Sequence, residues 1–254
     1  MKPRTPHEQS RKPNRRFYIG VALVMILFNA VAFAPSLIDQ SRRNVALPLS
    51  PLVTLHALVS AAWLLLFLTQ ATLVATGRTP VHRRVGVFGA VLTVAFIVLG
   101  YFTVIAQARR GFDLSGDIGR LAPPGAEAGG VAAIGLLFFF FQFAVLVGAA
   151  LRYRDRPAVH KRLMLLALLG ALAPTPAAHV IGYWFEPGPL AGILFSIGAL
   201  FFLPLSALHD KLTEGRIHPV SLWVPLLLVG SGLLFNTGIT PTASWRRFAA
   251  WLIQ

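Results

Sequence analysis

The chain has 254 residues, of which 56% are hydrophobic and only 13% charged, and its mean hydropathy is +0.68. This balance is too apolar for an ordinary soluble domain of this size and predicts that lipid is the main solvent. The net charge is +14, but the basic residues fall between apolar runs, which argues against a nucleic-acid-binding surface. Cysteine is absent, which excludes disulfides, thiolate nucleophiles and Cys-ligated metal centres.

Seven apolar runs come close to or reach the roughly 20 residues that a helix needs to cross the hydrocarbon layer. They predict an all-α integral membrane protein, built as a bundle of seven transmembrane helices. The first run follows a basic stretch, as a signal peptide would, but Pro35 directly after Ala34 should block cleavage, so we expect a retained helix. The predicted spans are 17–36, 52–76, 85–107, 130–151, 163–185, 190–208 and 220–239.

The distribution of lysine and arginine predicts the orientation of the bundle. If the N-terminus lies in the cytoplasm, 16 of the 23 basic residues fall on inner segments and seven on outer ones. The positive-inside rule therefore predicts a multi-pass protein of the inner (plasma) membrane, with its N-terminus in and its C-terminus out. The inner face would attract anionic lipids, which accounts for much of the charge without a further partner.

The two ends of the chain are predicted to lie outside the seven-helix domain, which covers residues 17–239. Residues 1–16 are polar and basic and predict a disordered cytoplasmic tail. Residues 240–254 predict an amphipathic segment in the outer interface, with Ser244 as the helix cap and with Trp245, Phe248 and Leu252 on one face. A helix that docks a partner is the alternative interpretation of this segment.

One internal repeat is visible at the predicted inner turns. Residues 78–84 and 156–162 share an arginine, a proline, a Val-His pair and two basic residues, at an offset of 78 positions. The repeat suggests two helical hairpins of the same orientation that arose by duplication. The alternative is that any inner turn recruits proline for the turn and basic residues for the orientation.

Histidines are the main candidates for chemistry in the apolar part of the chain. We expect no Asp, Glu, Lys or Arg well inside a span, which argues against an ion-coupled transporter and against a retinal protein. His56 and His179 are predicted at matched depth near the outer boundary, whereas His82, His160 and His209 are predicted at the inner side. Because imidazole binds transition metals and haem iron, the outer pair is predicted to ligate haem b, with the inner histidines as a second site.

A stripe of polar and aromatic residues supports an inward-facing role for the second helix. His56, Trp63 and Gln70 are spaced by seven and share one helical face. We expect their partners to be His179 and the carbonyls freed near Pro174, where the fifth helix should kink. The alternative is that the histidines only bond to neighbours or reach the headgroups, and that Gln70 is a hydrogen-bonding contact between helices.

Three short motifs carry a resemblance to known proteins, and it extends over helices one to five. The chain is similar in them to a group of bacterial multi-pass inner-membrane proteins with no established activity, which implies a membrane location and a bacterial source. A weaker likeness is to ascorbate-type transmembrane cytochromes b, whose four core helices carry two histidine pairs near opposite faces. In that family the ligands lie within helices, whereas His82 and His160 are expected in turns. The motifs are Leu55-His56-Ala57-Leu58, Gly77-Arg78 followed by His82-Arg83-Arg84-Val85-Gly86, and His160-Lys161-Arg162-Leu163-Met164-Leu165-Leu166-Ala167.

Two functions from different classes follow from these observations. The first is a redox membrane protein that binds haem b through His56 and His179, with His82 and His160 as an inner site, and that moves electrons across the membrane. The second is a cofactor-free scaffold, binding or assembly subunit, in which the same residues only pack and cap the bundle.

Overall fold

The computed structural model describes residues 6–39, 49–110, 134–184, 190, 194, 197–198 and 200–254. These residues form helices joined by turns, and no strand occurs among them. The helices are α1 Pro6–Ile38, α2 Pro51–Ala75, α3 Thr79–Arg110, α4 Leu137–Arg152, α5 Pro157–Leu172, α6 Pro174–Trp184, α7 Leu205–Glu214, α8 Pro219–Leu234 with a π-helical turn at Phe235–Ile239, and α9 Ala243–Ile253.

Five helical stretches in this part of the chain are long and apolar enough to cross a membrane, which confirms five of the predicted spans at this level. The predicted span 130–151 corresponds to α4, a helix of 16 residues. The predicted span 190–208 lies mostly outside the described residues. The five stretches are Arg16–Pro35, Pro51–Ala75, Thr79–Arg109, Pro157–Ile181 and Pro219–Ile239.

Prolines set where three of these helices begin. Pro51, Pro157 and Pro219 stand at the first helical positions, where the missing N–H group would have no partner in the helix. As a result α5 begins at Pro157, whereas the sequence predicted a start at residue 163. Lys161 and Arg162 therefore lie in the first two turns of a helix that is long and apolar enough to cross a membrane, and not in the turn before it, where they were predicted.

The central helix of the bundle is the one formed by α5 and α6. In its most apolar 18 residues, 72% of the residues are buried. The corresponding fraction for α8 is 6%, so α8 lies at the periphery. The helix breaks at Ala173, because Pro174 and Pro176 have no N–H group to continue the hydrogen-bond ladder. The predicted kink in this helix is confirmed.

The two ends of the chain differ in detail from the prediction. α1 begins at Pro6, so most of the stretch predicted as a disordered tail continues the first helix. α9 is capped by Thr242, whose hydroxyl accepts a hydrogen bond from the Trp245 N–H at 3.1 Å, and not by Ser244. Its inner face is centred on the fully buried Ala249, which packs on the end of α3.

Several elements meet at one end of the bundle, which we call the basic end. The α2–α3 and α4–α5 turns lie there together, because the rings of His82 and His160 are in contact. α7 lies at the same end, since Asp210 pairs with Arg162 of α5. The start of the α1 span is also there, because Phe17 stacks on a ring of α7. α9 lies at the opposite end of α3, where Arg109 Nε donates to the Ile253 carbonyl at 2.9 Å.

Candidate functional site

The two repeat histidines come together at the basic end. His82 is the fourth residue of α3 and His160 the fourth residue of α5, so both lie in the first turn of a helix and not in the preceding turn, where the sequence suggested them. Their ring centroids are 6.4 Å apart and their planes are nearly perpendicular, at 83°. Each hairpin thus contributes one imidazole from the same position of the repeat.

Backbone carbonyls lie close to both rings. His160 Nδ1 is 2.8 Å from the Ala150 carbonyl oxygen on α4, and since a carbonyl only accepts, Nδ1 carries a proton and donates it. The backbone carbonyl of Gln70 on α2 lies near the His82 ring. His82 Nδ1 is buried and has no hydrogen-bond partner among the described residues. Carbonyls that orient an imidazole through its second nitrogen are typical of metal-ligating histidines.

The spacing of the two ring centroids is compatible with a shared metal ion. Each ring nitrogen is about 1 Å from its centroid, so facing nitrogens would be about 4 Å apart, which is twice a metal–imidazole bond of roughly 2 Å. That distance is too long for a direct hydrogen bond of about 3 Å. No group of three or more His, Cys, Asp or Glu side chains suited to a metal occurs in the described part of the chain, so any ion here would need donors of another kind as well.

A buried ionic cluster lies beside the histidine pair and was not predicted. Arg162 is 1% exposed, although it is only two residues from His160. Its Nε donates to Asp210 Oδ2 at 3.0 Å, its Nη2 to Glu214 Oε1 at 2.8 Å and its Nη1 to the Ala158 carbonyl at 2.8 Å. The cluster therefore joins α5 to α7 through Nε and Nη2 of the guanidinium group, while Nη1 bonds within α5.

Asp210 also holds the start of α8. Its Oδ2 accepts from the His218 backbone N–H at 3.2 Å, and Ser206 and Ser221 share a hydrogen bond of 2.7 Å next to it. Burial alone would raise the pKa of the Asp210 carboxyl, but the hydrogen bonds from Arg162 and Ser221 outweigh burial and keep this pKa below its ordinary value. Asp210 is therefore an anion at neutral pH.

His209 closes the cluster on the side of α1. Its ring stacks on Phe17 with centroids 3.8 Å apart and planes 3° from parallel. Burial lowers the pKa of His209, and the nearby Lys161 and Arg162 act in the same direction, while Asp210 and Glu214 partly oppose them. The folded protein therefore favours the neutral imidazole at this position.

This pKa shift predicts a loss of stability in mild acid. An unfolded histidine takes up its proton near pH 6.5, whereas His209 does so only at a lower pH in the folded protein, so its contribution is present above about pH 6.5 and is lost as the pH falls. We expect His209→Phe, which keeps the stack on Phe17, to flatten the decline in thermal stability between about pH 7 and 5, by up to about 1.4 kcal/mol per pH unit. Thermal unfolding in detergent across this range measures the effect. Parallel profiles of the two proteins would contradict the prediction.

The predicted outer pair lies in two different aromatic surroundings. The His56 ring is 5.5 Å from the ring of Phe96 and 6.0 Å from that of Phe140, on α3 and α4. His179 is buried on α6, where its ring is 4.3 Å from Phe33 of α1 and its Nδ1 is 3.0 Å from the Thr175 carbonyl. These contacts do not bring the two imidazoles together, and ligation of haem by this pair stays a prediction.

The predicted inward stripe of α2 has partners other than the expected ones. Trp63 is 3% exposed, and its Nε1 donates to Thr93 Oγ1 of α3 at 3.1 Å. Its ring also packs edge-on against Phe143 of α4, at 5.1 Å. The stripe therefore faces α3 and α4, and the partner of Trp63 is a hydroxyl of α3 and not a carbonyl of the kinked helix.

No protein-family profile matches the chain, and no curated protein or solved structure shows significant similarity to it. The interpretation of the site therefore depends on its geometry. That geometry brings together two imidazoles from equivalent positions of the repeat, and one of them has a buried nitrogen, His82 Nδ1, without a hydrogen-bond partner among the described residues. At the same end of the bundle, the ionic cluster holds α5 and α7 together.

Proposed function

We propose that this chain is a seven-span inner-membrane protein with its N-terminus in the cytoplasm, and that it holds one transition-metal ion between His82 and His160. The seven crossings are supported by the alternation of described helix ends. The α1 span, α3, α5 and α8 start at the basic end, and α2 and α4 finish there. The helix formed by α5 and α6 runs away from this end, and α7 lies at it again. The basic residues at this end support its assignment to the cytoplasmic side.

The observation that carries the metal function is the contact between the two imidazoles. They come from separate hairpins, the His160 ring is oriented by the Ala150 carbonyl, and their centroid distance of 6.4 Å is compatible with one shared ion. Neutral imidazole is the commonest protein ligand of transition metals. A metal centre would also explain why the Val-His pair occurs in both hairpins, since a turn by itself needs no histidine.

Haem b is one form in which this ion could be held, although the sequence predicted haem first at His56 and His179 and only as a second site at the inner histidines. Two axial imidazoles on one iron need the same spacing as two imidazoles on a bare ion, so the inner pair fits the ligand set of haem. A haem at this position would supply one-electron chemistry at the basic end of the bundle. The chain's own residues would contribute the two ligands and the Ala150 carbonyl that orients the His160 ring.

Metal and haem analysis of the purified protein tests this proposal. The full chain would be expressed in cells supplied with haem precursor and with trace metals, and then purified in detergent. We expect close to one equivalent of either a transition metal, by elemental analysis, or haem, by its Soret band. Protein that holds neither, and that takes up neither when they are added, would contradict the proposal.

A cofactor-free scaffold is the second candidate, and one observation favours it. The ionic cluster of Arg162, Asp210 and Glu214 and the Trp63–Thr93 hydrogen bond hold the helices together without any bound group. In this function the exposed Arg83 would meet anionic lipid headgroups at the basic end. The metal and haem analysis of the purified protein distinguishes the two candidates, because a scaffold would bind no metal at the histidine pair.

A further inference from the structure

The side-chain amide of Gln70 lies beside the histidine pair with an unused acceptor. Its Oε1 is buried and has no hydrogen-bond partner among the described residues. The other glutamine at a comparable helix contact, Gln142, is different. Its Nε2 donates to the Leu228 carbonyl at 3.2 Å and to Ser231 Oγ at 3.0 Å. Gln142 therefore joins two helices through hydrogen bonds, whereas the Gln70 oxygen has no such role.

Two contacts place the Gln70 amide next to the His82 ring. Its Nε2 is 3.5 Å from the point where a Cβ atom on Gly86 would lie, so the amide packs directly on the backbone of α3. Gly86 is four residues after His82 and therefore shares its helical face. The backbone carbonyl of Gln70 also faces the His82 ring. The amide and the imidazole thus belong to one α2–α3 interface.

Two buried polar atoms at this interface have no hydrogen-bond partner in the described part of the chain, Gln70 Oε1 and His82 Nδ1. Leaving buried polar atoms unsatisfied destabilises the folded protein. A bound cation would satisfy an amide oxygen and the lone pair of a neutral imidazole at the same time. Imidazole nitrogen together with a neutral oxygen is a donor set that suits copper or zinc.

One buried cation close to the pair in the sequence is neutralised, and two others are exposed. Arg162, the buried cation nearest in the sequence to His160, is neutralised by Asp210 and Glu214. Arg83 and Arg84 are exposed, so solvent and salt screen their charges.

We infer that Gln70 Oε1 is a third donor of this centre, beside one nitrogen each of His82 and His160, and that the centre takes a bare first-row transition-metal ion and not haem iron. The inference rests on the proposed metal function and narrows it. Two imidazoles fill both axial positions of a haem iron, which leaves no position for a third protein donor. The Irving–Williams order predicts that Cu²⁺ binds more tightly than Zn²⁺.

Metal titration of matched glutamine variants tests the inference. Purified metal-free protein in detergent would be titrated with Cu²⁺ and with Zn²⁺ in competition with a chelator of known affinity, and separately with haemin. We expect Gln70→Leu to weaken Cu²⁺ binding at least tenfold with little loss of thermal stability, because its oxygen has no hydrogen bond to lose. Gln142→Leu should do the opposite, with lower thermal stability and unchanged Cu²⁺ affinity. Gln70→Glu, which keeps an oxygen donor and adds charge, should bind Cu²⁺ more tightly than Gln70→Leu.

The outcomes separate this inference from the proposed function. If Cu²⁺ binds through the two histidines but Gln70→Leu leaves the affinity unchanged, the third donor is wrong and the metal function stands. If haemin binds through the two histidines and Cu²⁺ does not, the inference is again wrong and the metal function again stands. If no metal binds, or if binding persists when His82 and His160 are replaced by alanine, the proposed function fails and the inference with it.

Discussion

Replacing Arg162 with methionine is expected to lower the free energy of unfolding in detergent by about 3–5 kcal/mol, the largest effect that we expect of any single substitution on stability. Methionine approximates the length of the side chain but removes all the donors. Asp210, itself 1% exposed, would then be a buried carboxylate without its cation, next to the second carboxylate of Glu214. Denaturant-induced unfolding measured by fluorescence or circular dichroism gives the size of the loss.

The internal repeat supplies a matched control for this substitution. Arg84 is the equivalent of Arg162 in the first hairpin, but it is exposed. Arg84→Met should therefore change the stability by no more than about 0.5 kcal/mol. Adding Asp210→Asn to Arg162→Met should recover more than half of the loss, since no unpaired charge is then buried. Equal effects of the two arginine substitutions would show that the buried cluster does not stabilise the bundle.

Removal of either ring of the histidine pair should reduce metal affinity more than any other substitution. Because loss of a residue that only orients a ligand typically costs 10- to 100-fold, we expect His82→Ala and His160→Ala each to weaken binding by more than about 100-fold. Because both rings are expected to bind one ion, the double variant should bind more weakly than either single variant, but by less than the product of the two single losses. Competition titration with the tightest metal found for the unaltered protein measures this.

The outer histidines are the controls for that experiment. His56 and His179 are also imidazoles in the apolar part of the chain, and the ring contacts described for them are with Phe33, Phe96 and Phe140. Their alanine variants should keep the metal affinity of the unaltered protein. If these two variants lose the metal and the inner two keep it, the ligands are those first predicted from depth and the assignment proposed above is wrong.

Much of the helical architecture could be predicted because hydropathy and proline are local signals. Runs of apolar residues predicted the five spans, and Pro174 with Pro176 predicted the kink in the central helix. The start of α5 was misplaced because Lys161 and Arg162 were taken as the end of a turn. A charge marks the membrane boundary only when it reaches water or headgroups, and Arg162 reaches carboxylates in its place.

The candidate site could be predicted only in part, because depth along a helix is local and the choice of neighbour is not. Counting residues placed His56 and His179 at one level, but the direction in which each faces depends on the packing order of the helices. The repeat was a better guide to His82 and His160, since equivalent positions of two packed hairpins lie on related faces. Gln70 was predicted on the inner stripe, but its unpaired oxygen only becomes visible when its neighbours are known.

The ionic cluster had no distinct signal in the sequence. Arg162 stands in the same motif as the exposed Arg84, and the residues that bury it are 48 and 52 positions away. One hint was available: Asp210 and Glu214 are four residues apart on one face of a helix that follows an apolar stretch. Two carboxylates in that arrangement predict a cationic partner, although they do not identify it.

X-ray absorption spectroscopy of the metal-loaded protein tests the metal centre most directly, because it reads the ligands of the ion itself. For protein loaded with one equivalent of copper, we predict scattering from two imidazole rings with metal–nitrogen distances of about 2.0 Å. His82→Ala should reduce the imidazole contribution to one ring, whereas His56→Ala should leave it at two. A spectrum without imidazole scattering, or one that is the same in the unaltered protein and in His82→Ala, would contradict a metal ion shared by His82 and His160.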